Sequence, residues 1–218
     1  MQKLTYVRSI AALAAIWLLA CSAALWIAKA AAHEPDASIA ALLAEVTHSF
    51  TLHGKPVPPE VFHDFGDGNI ADSSAIWVTV DIEAAIGSNL YADDIKKQGD
   101  WLSQTKANPS ANGSEQTAYK FIGATDNGLL VVLASYNGGG SGTFYTLHIL
   151  DVAAARAFDL DGKLYRRINL TVLRSVILGD RWDGEVRIAH NAIRIVTMRQ
   201  GPTDAGTRTT KTIAAERP

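Results

Sequence analysis

The chain has 218 residues, 48% of them hydrophobic and 19% charged, with a formal net charge of −2. That length can bury one good core or two small ones, and the near-neutral balance argues against nucleic acid as a partner. The lone cysteine, Cys21, excludes an intrachain disulfide and leaves the rest of the chain without thiolate metal ligands.

Residues 1–32 read as an export signal. Lys3 and Arg8 form a basic start, and Ile10 to Ala28 carries no charge and no proline. Ala28-Lys29-Ala30-Ala31-Ala32 then offers two A-x-A cleavage frames, and no acid precedes Glu34. Cleavage after Ala30 or Ala32 gives a soluble periplasmic or secreted protein. The apolar run of 19 residues also approaches the ~20 that span a bilayer, so an uncleaved anchor is a second reading. Leu18-Leu19-Ala20-Cys21-Ser22 resembles the lipobox of bacterial lipoproteins, which makes lipidation at Cys21 a third. The plain apolar-core reading of Cys21 is preferred. All three place the body outside the cytoplasm, because the basic end stays inside. Contact with a membrane is expected only through this segment, if it stays uncleaved or carries lipid.

Beyond residue 32 the body keeps 17 basic and 22 acidic residues, a net charge of −5. Composition divides it into 33–106, a helix plus a first β segment; 118–200, a β module; and 201–218, a polar tail or edge strand. Ile39, Leu42, Leu43, Val46 and Phe50 share one helical face, and Asp36 or Ser38 can cap its start. This face lacks the basic flank of a membrane-surface helix, so packing on the body is expected. His53 to Pro59 reads as an extended connector. Ile76 to Ile82 reads as a strand and Asp93 to Leu102 as a short helix. Lys106 to Thr117, rich in Asn, Ser, Ala and Gly, reads as a linker.

Strands are then expected at Tyr119–Ala124, Leu129–Ser135, Thr143–Leu150, Tyr165–Leu173, Glu185–Ala189 and Ala192–Met198. Asp126-Asn127-Gly128, Asp161-Gly162, Asp183-Gly184 and His190-Asn191 mark turns between them. The fold expected is mainly β: an antiparallel β-sandwich or partly open barrel with an N-terminal amphipathic helix.

Three segments carry a resemblance: Gly54-Lys55-Pro56 with Pro58 or Pro59, Gly138-Gly139-Gly140-Ser141-Gly142-Thr143-Phe144, and Leu178-Gly179-Asp180-Arg181-Trp182-Asp183-Gly184-Glu185. Together they resemble a group of uncharacterised exported bacterial proteins and lipoproteins, over roughly Thr51 to Asp204. The resemblance implies export and a β-rich fold, and implies no chemistry. Where many of that group carry a Cys pair after the last segment, this chain has Gly206-Thr207-Arg208.

The chemical candidates are few. Asp64, Asp67, Asn69 and Asp72 form the densest set of oxygen ligands, and Ca²⁺ is the ion they suit. Their spacing departs from the EF-hand order, and a turn that caps its own backbone is the favoured reading. Asp159-Leu160-Asp161-Gly162 has the same ambiguity, with a hairpin favoured. The glycine run at 138–140 can form an anion nest or a turn needing positive φ, and the turn is favoured. Ser141 lies outside a G-x-S-x-G elbow, and His148 is its nearest downstream imidazole in sequence. Trp182 is expected to tuck over its hairpin, with Asp180 and Arg181 holding the turn. The function expected is that of a non-enzymatic envelope module binding an unidentified partner or small ligand. The alternative is an extracytoplasmic hydrolase using carboxylates of the 64–72 stretch, which would need two carboxyls facing an open cleft.

Overall fold

The structure, a computed structural model, describes residues 37–65, 78–87, 94–108, 113–198 and 207–217. The chain divides into two compact units, 1–40 and 41–218. Of the first, only Ala37 to Ala40 are described; they begin helix α1 (Ala37–Ser49). The export segment lies outside the described residues. Among the described residues no helix is long and apolar enough to cross a membrane.

The second unit is mainly β and antiparallel throughout. After α1 come β1 (Thr51–Leu52), β2 (Lys55–Pro56) and a short helix α2 (Glu60–Asp64). β3 (Thr79–Asp81) runs into α3 (Ile82–Gly87), and β4 (Lys96–Gln98) follows. A meander then runs through β5 (Trp101–Asn108), β6 (Gly113–Ala124), β7 (Leu130–Asn137), β8 (Phe144–Phe158) and β9 (Leu164–Asp180). These strands form one seven-stranded sheet in the order β3-β9-β8-β7-β6-β5-β4, curled into a half barrel. The curl has local causes. The register leaves one extra residue at Ile122 of β6 and at Leu173 and Leu178 of β9. An extra residue on one strand bends it and increases its twist. β10 (Gly184–Ala189), β11 (Ala192–Met198) and β12 (Arg208–Ala214) form a second, three-stranded sheet.

β7 reads LVVLASYN, with no alternation, because both of its faces are covered. Val131 and Leu133 join Leu147 and Ile149 of β8 under Ile193, Ile195 and Ile213 of the small sheet. On the opposite face, Tyr119 stands across from Ala134 and Phe121 from Val132. There Phe50 lies 5.3 Å from Tyr119 and stacks on Phe121 at 5.2 Å, ring centre to ring centre. Phe50 holds a left-handed φ of 55°, costly for a bulky residue. It reverses the chain from α1 into β1 and drives the ring into this aromatic cluster. Glu45 fastens the same corner, its carboxylate accepting from the Gly54 amide (2.7 Å), Thr51 Oγ1 (2.9 Å) and the His53 amide (3.2 Å).

Three expectations are corrected. Among the described residues, Lys106 to Thr117 is paired strand and not a linker: β5 runs to Asn108, β6 starts at Gly113, and the two pair residue by residue. Polar composition there reflects an edge-side hairpin end, which shares its turn chemistry with a linker. Of Asp93 to Leu102, the described residues from Lys96 onward form the β4–β5 hairpin rather than a helix. Gly99, at φ 59°, turns the chain so that Lys97 faces Leu102. Of Ile76 to Ile82, only Thr79–Asp81 is strand among the described residues, and Ile82 opens α3. Within 201–218, β12 is the edge strand of the small sheet.

Candidate functional site

The register of β6, β7, β8 and β9 sets a row of side chains on the face beneath α2. Thr117 lies opposite Tyr136, Ala134 opposite Thr146, Tyr136 opposite Phe144, Thr146 opposite Ile177 and His148 opposite Ser175. Directly opposed residues share a face, so eight positions on four strands converge without any loop. α2 closes this row from above. Val57, Val61 and Phe65 anchor it as buried residues, and the Tyr119 hydroxyl donates to the Val57 carbonyl at 2.8 Å. Phe62 then stands 5.0 Å from Tyr119 and 5.5 Å from His148, while His63 meets Tyr136 edge-on at 5.6 Å.

A cavity of about 330 Å³ remains between helix and sheet. Phe62, His63, Thr117 and Tyr136 form one wall, Ala134, Thr146 and His148 the floor, and Phe144 and Ile177 the rim. Phe144 and Ile177 are each more than half exposed, so the cavity opens at that end. None of its described lining residues is a carboxylate, an ammonium or a thiol.

His148 is the buried polar group of the floor, 2% exposed. Burial penalises its charged form and lowers its pKa from an ordinary 6.5 to about 4. Its Nδ1 lies 2.9 Å from Ser175 Oγ, and Phe62 and Phe65 crowd the ring. If the serine hydroxyl donates to Nδ1, the proton sits on Nε2 and that edge is a donor. If the ring donates, Nε2 is an acceptor. In either state the floor holds a neutral imidazole at pH 7.

The glycine turn and the LGDR turn interlock. Asp180 Oδ1 accepts from the Thr143 amide (2.8 Å), Arg181 Nη2 donates to the Ser141 carbonyl (2.7 Å), and the Arg181 amide donates to the Thr143 carbonyl (2.7 Å). Within the turn the Gly139 amide donates to Asn137 Oδ1 at 2.8 Å. The Gly139 and Thr143 amides thus face protein acceptors, which favours the turn reading. Only Gly139 of the run has a left-handed φ, at 91°. Ser141 is exposed in this turn, while His148 is hydrogen-bonded to Ser175. Trp182 tucks as expected, its Nε1 donating to Thr197 Oγ1 at 3.0 Å and its ring 6.2 Å from Tyr145.

Of the calcium candidates, Asp64 is the last residue of α2, and Asp67, Asn69 and Asp72 lie outside the described residues. Among the described residues no three His, Cys, Asp or Glu side chains gather into a metal-holding group. Asp159 caps its own turn, accepting from the amides of Asp161 (3.0 Å) and Lys163 (2.8 Å).

Sequence reasoning missed the cavity because its residues come from α2, one presumed linker end and three further strands. One signal was present. Thr146 and His148 are polar at alternate positions in the otherwise apolar start of the strand, Phe144 to Leu150, on the face opposite Leu147 and Ile149. Comparison with known proteins finds no matching family model, no matching curated protein and no matching solved structure.

Proposed function

We propose that this protein is an exported, non-enzymatic binding module whose cavity takes a small, neutral, largely apolar ligand. The observation that carries this reading is the uncharged lining beneath α2, with His148 held neutral on its floor. A volume of about 330 Å³ is at the small end of the ~300–1,000 Å³ typical of ligand sites. Aromatic and aliphatic walls supply affinity by excluding water. Thr117, Thr146 and the imidazole supply a few directional contacts that orient a ligand carrying one polar group. A charged ligand would lose its hydration there without gaining a counter-charge. The rival hydrolase reading rests on carboxylates of the 64–72 stretch, most of them outside the described residues, and no observation favours it.

The test is titration of the full chain with a neutral fluorescent naphthylamine probe. Binding is expected in the wild type and is expected to be lost in Thr146→Trp, which fills the cavity, with melting unchanged. Ile177→Asp at the rim should weaken binding without touching the core. A wild type that does not bind, or a Thr146→Trp chain that binds as well, overturns the reading. Export is tested separately. A reporter active only outside the cytoplasm, fused after Ala40, should be active, and its silence would refute the location.

A further inference from the structure

β8 and β9 outrun the sheet that holds them. β7 stops pairing with β8 at Leu150, and β3 stops pairing with β9 at Asn169. From Ala154 opposite Ile168 to Phe158 opposite Leu164 the two strands pair only with each other among the described residues. At ~3.4 Å per residue this arm of five residue pairs reaches about 17 Å.

The arm ends in a closed turn, Asp159 to Lys163, that carries Leu160 between two aspartates. Asp159 binds the amides of Asp161 and Lys163, the Gly162 amide donates to the Asp159 carbonyl, and Gly162 takes φ 76°. The turn is therefore closed by its own backbone. It nonetheless holds Leu160 fully exposed and Phe158 70% exposed, with Leu164 and Tyr165 also open. Seven large hydrophobic side chains stand exposed among the described residues, and these four fall within eight consecutive positions. Such clustering marks an interaction surface rather than ordinary scatter.

Charge is ordered behind that tip. Phe158 and Leu164 face each other, and the next pair on the same face is Arg156 opposite Arg166. Lys163 and Arg167 flank the other side. Residues 156–167 hold Arg156, Lys163, Arg166 and Arg167 against Asp159 and Asp161, a net charge of +2 in a body that carries −5. Arginine side chains in such a cluster suit phosphate groups.

We infer that the β8–β9 tip docks on an anionic lipid surface, with Leu160, Phe158 and Leu164 entering the acyl boundary and Arg156, Lys163 and Arg166 meeting lipid phosphates. Along one face of the arm the apolar pair Phe158 and Leu164 lies outside the basic pair Arg156 and Arg166, an order that matches the depth profile of a bilayer interface. A second copy of the chain is the weaker occupant, since four side chains on a narrow arm fall well short of the ~1,200 Å² of a stable protein interface. The inference is independent of the cavity. It adds a membrane contact where the sequence pointed only to residues 1–32.

The experiment labels the tip itself, so that any anchoring by the N-terminal segment does not matter. The full chain carrying Cys21→Ala and Leu160→Cys is labelled with an environment-sensitive nitrobenzoxadiazole. A second chain carries Lys211→Cys, on β12, as the control position. With vesicles of phosphatidylcholine and phosphatidylglycerol at 7:3, the label at 160 should brighten at least twofold and shift to the blue. The label at 211 should not change. Adding Arg156→Glu and Lys163→Glu should cut the response at 160 at least fivefold. No response at 160, or equal responses at 160 and 211, overturns the inference. An equal response with phosphatidylcholine alone overturns its electrostatic part, and brightening that rises with protein concentration without lipid assigns the tip to a second copy instead.

Discussion

Acidification should destabilise this protein through His148. The folded chain resists protonation of His148 until about pH 4, while the unfolded chain takes the proton near 6.5. Between those values the unfolded state holds more protons, so stability falls as pH falls. The contribution is intact above pH 6.5 and is lost progressively down to about 4. At ~1.36 kcal/mol for each pH unit, the full effect is about 3 kcal/mol, and about 2 kcal/mol of it falls between pH 7 and pH 5. Other groups titrate in that range, so the assay is a comparison. Urea unfolding of wild type and His148→Phe is measured at pH 7 and pH 5. Phenylalanine suits the contacts with Phe62 and Phe65 and cannot titrate. Adding Ser175→Ala removes the hydroxyl left without its imidazole. The wild type should lose about 2 kcal/mol more than either variant on acidification. Equal losses in all three would refute the burial argument, and with it the neutral floor of the cavity.

Three further outcomes are expected. Gly139→Val should cost about 1–3 kcal/mol because a β-branched residue is forced to positive φ; Gly140→Val, free of that demand, should stay within about 0.5 kcal/mol, and matched melting of the two would refute the distinction. Gly184→Ala should cost roughly 1–3 kcal/mol by overpacking, since an added Cβ would sit 2.1 Å from the Val196 carbonyl oxygen and 2.4 Å from the Trp182 ring; an unchanged urea midpoint would refute it. Melting is expected to be the same in millimolar Ca²⁺ and in EDTA, and a shift of several degrees that vanishes in Asp67→Asn would make the 64–72 stretch a metal site.

The interlock of the two turns explains why GGGSGTF and LGDR occur together in one chain. Asp180 accepts from Thr143, and Arg181 donates to both Ser141 and Thr143, so the motifs form one corner where β7 enters β8 and β9 leaves. Their residue types are set by that corner's geometry and hydrogen bonding.

Local chemistry was enough for most of the elements. Alternation in Val186, Ile188, Ile193 and Ile195 identified β10 and β11, and the His190-Asn191 turn joined them, because a half-buried hairpin writes its period into the chain. The apolar spacing from Ile39 to Phe50 identified α1 in the same way. Tertiary structure alone decided the rest. The polar hairpin ends of β5 and β6 look like a linker until pairing partners are known. β8 runs past its expected end because Ala153 to Ala157 has only small apolar side chains and is held by the ladder with β9, while β9 continues through Arg174 and the apolar Val176-Ile177-Leu178 to Asp180. The cavity is the extreme case. Thr117, Ala134, Thr146 and His148 lie up to 31 positions apart in sequence, and only strand register, with α2 laid across it, sets them around one space.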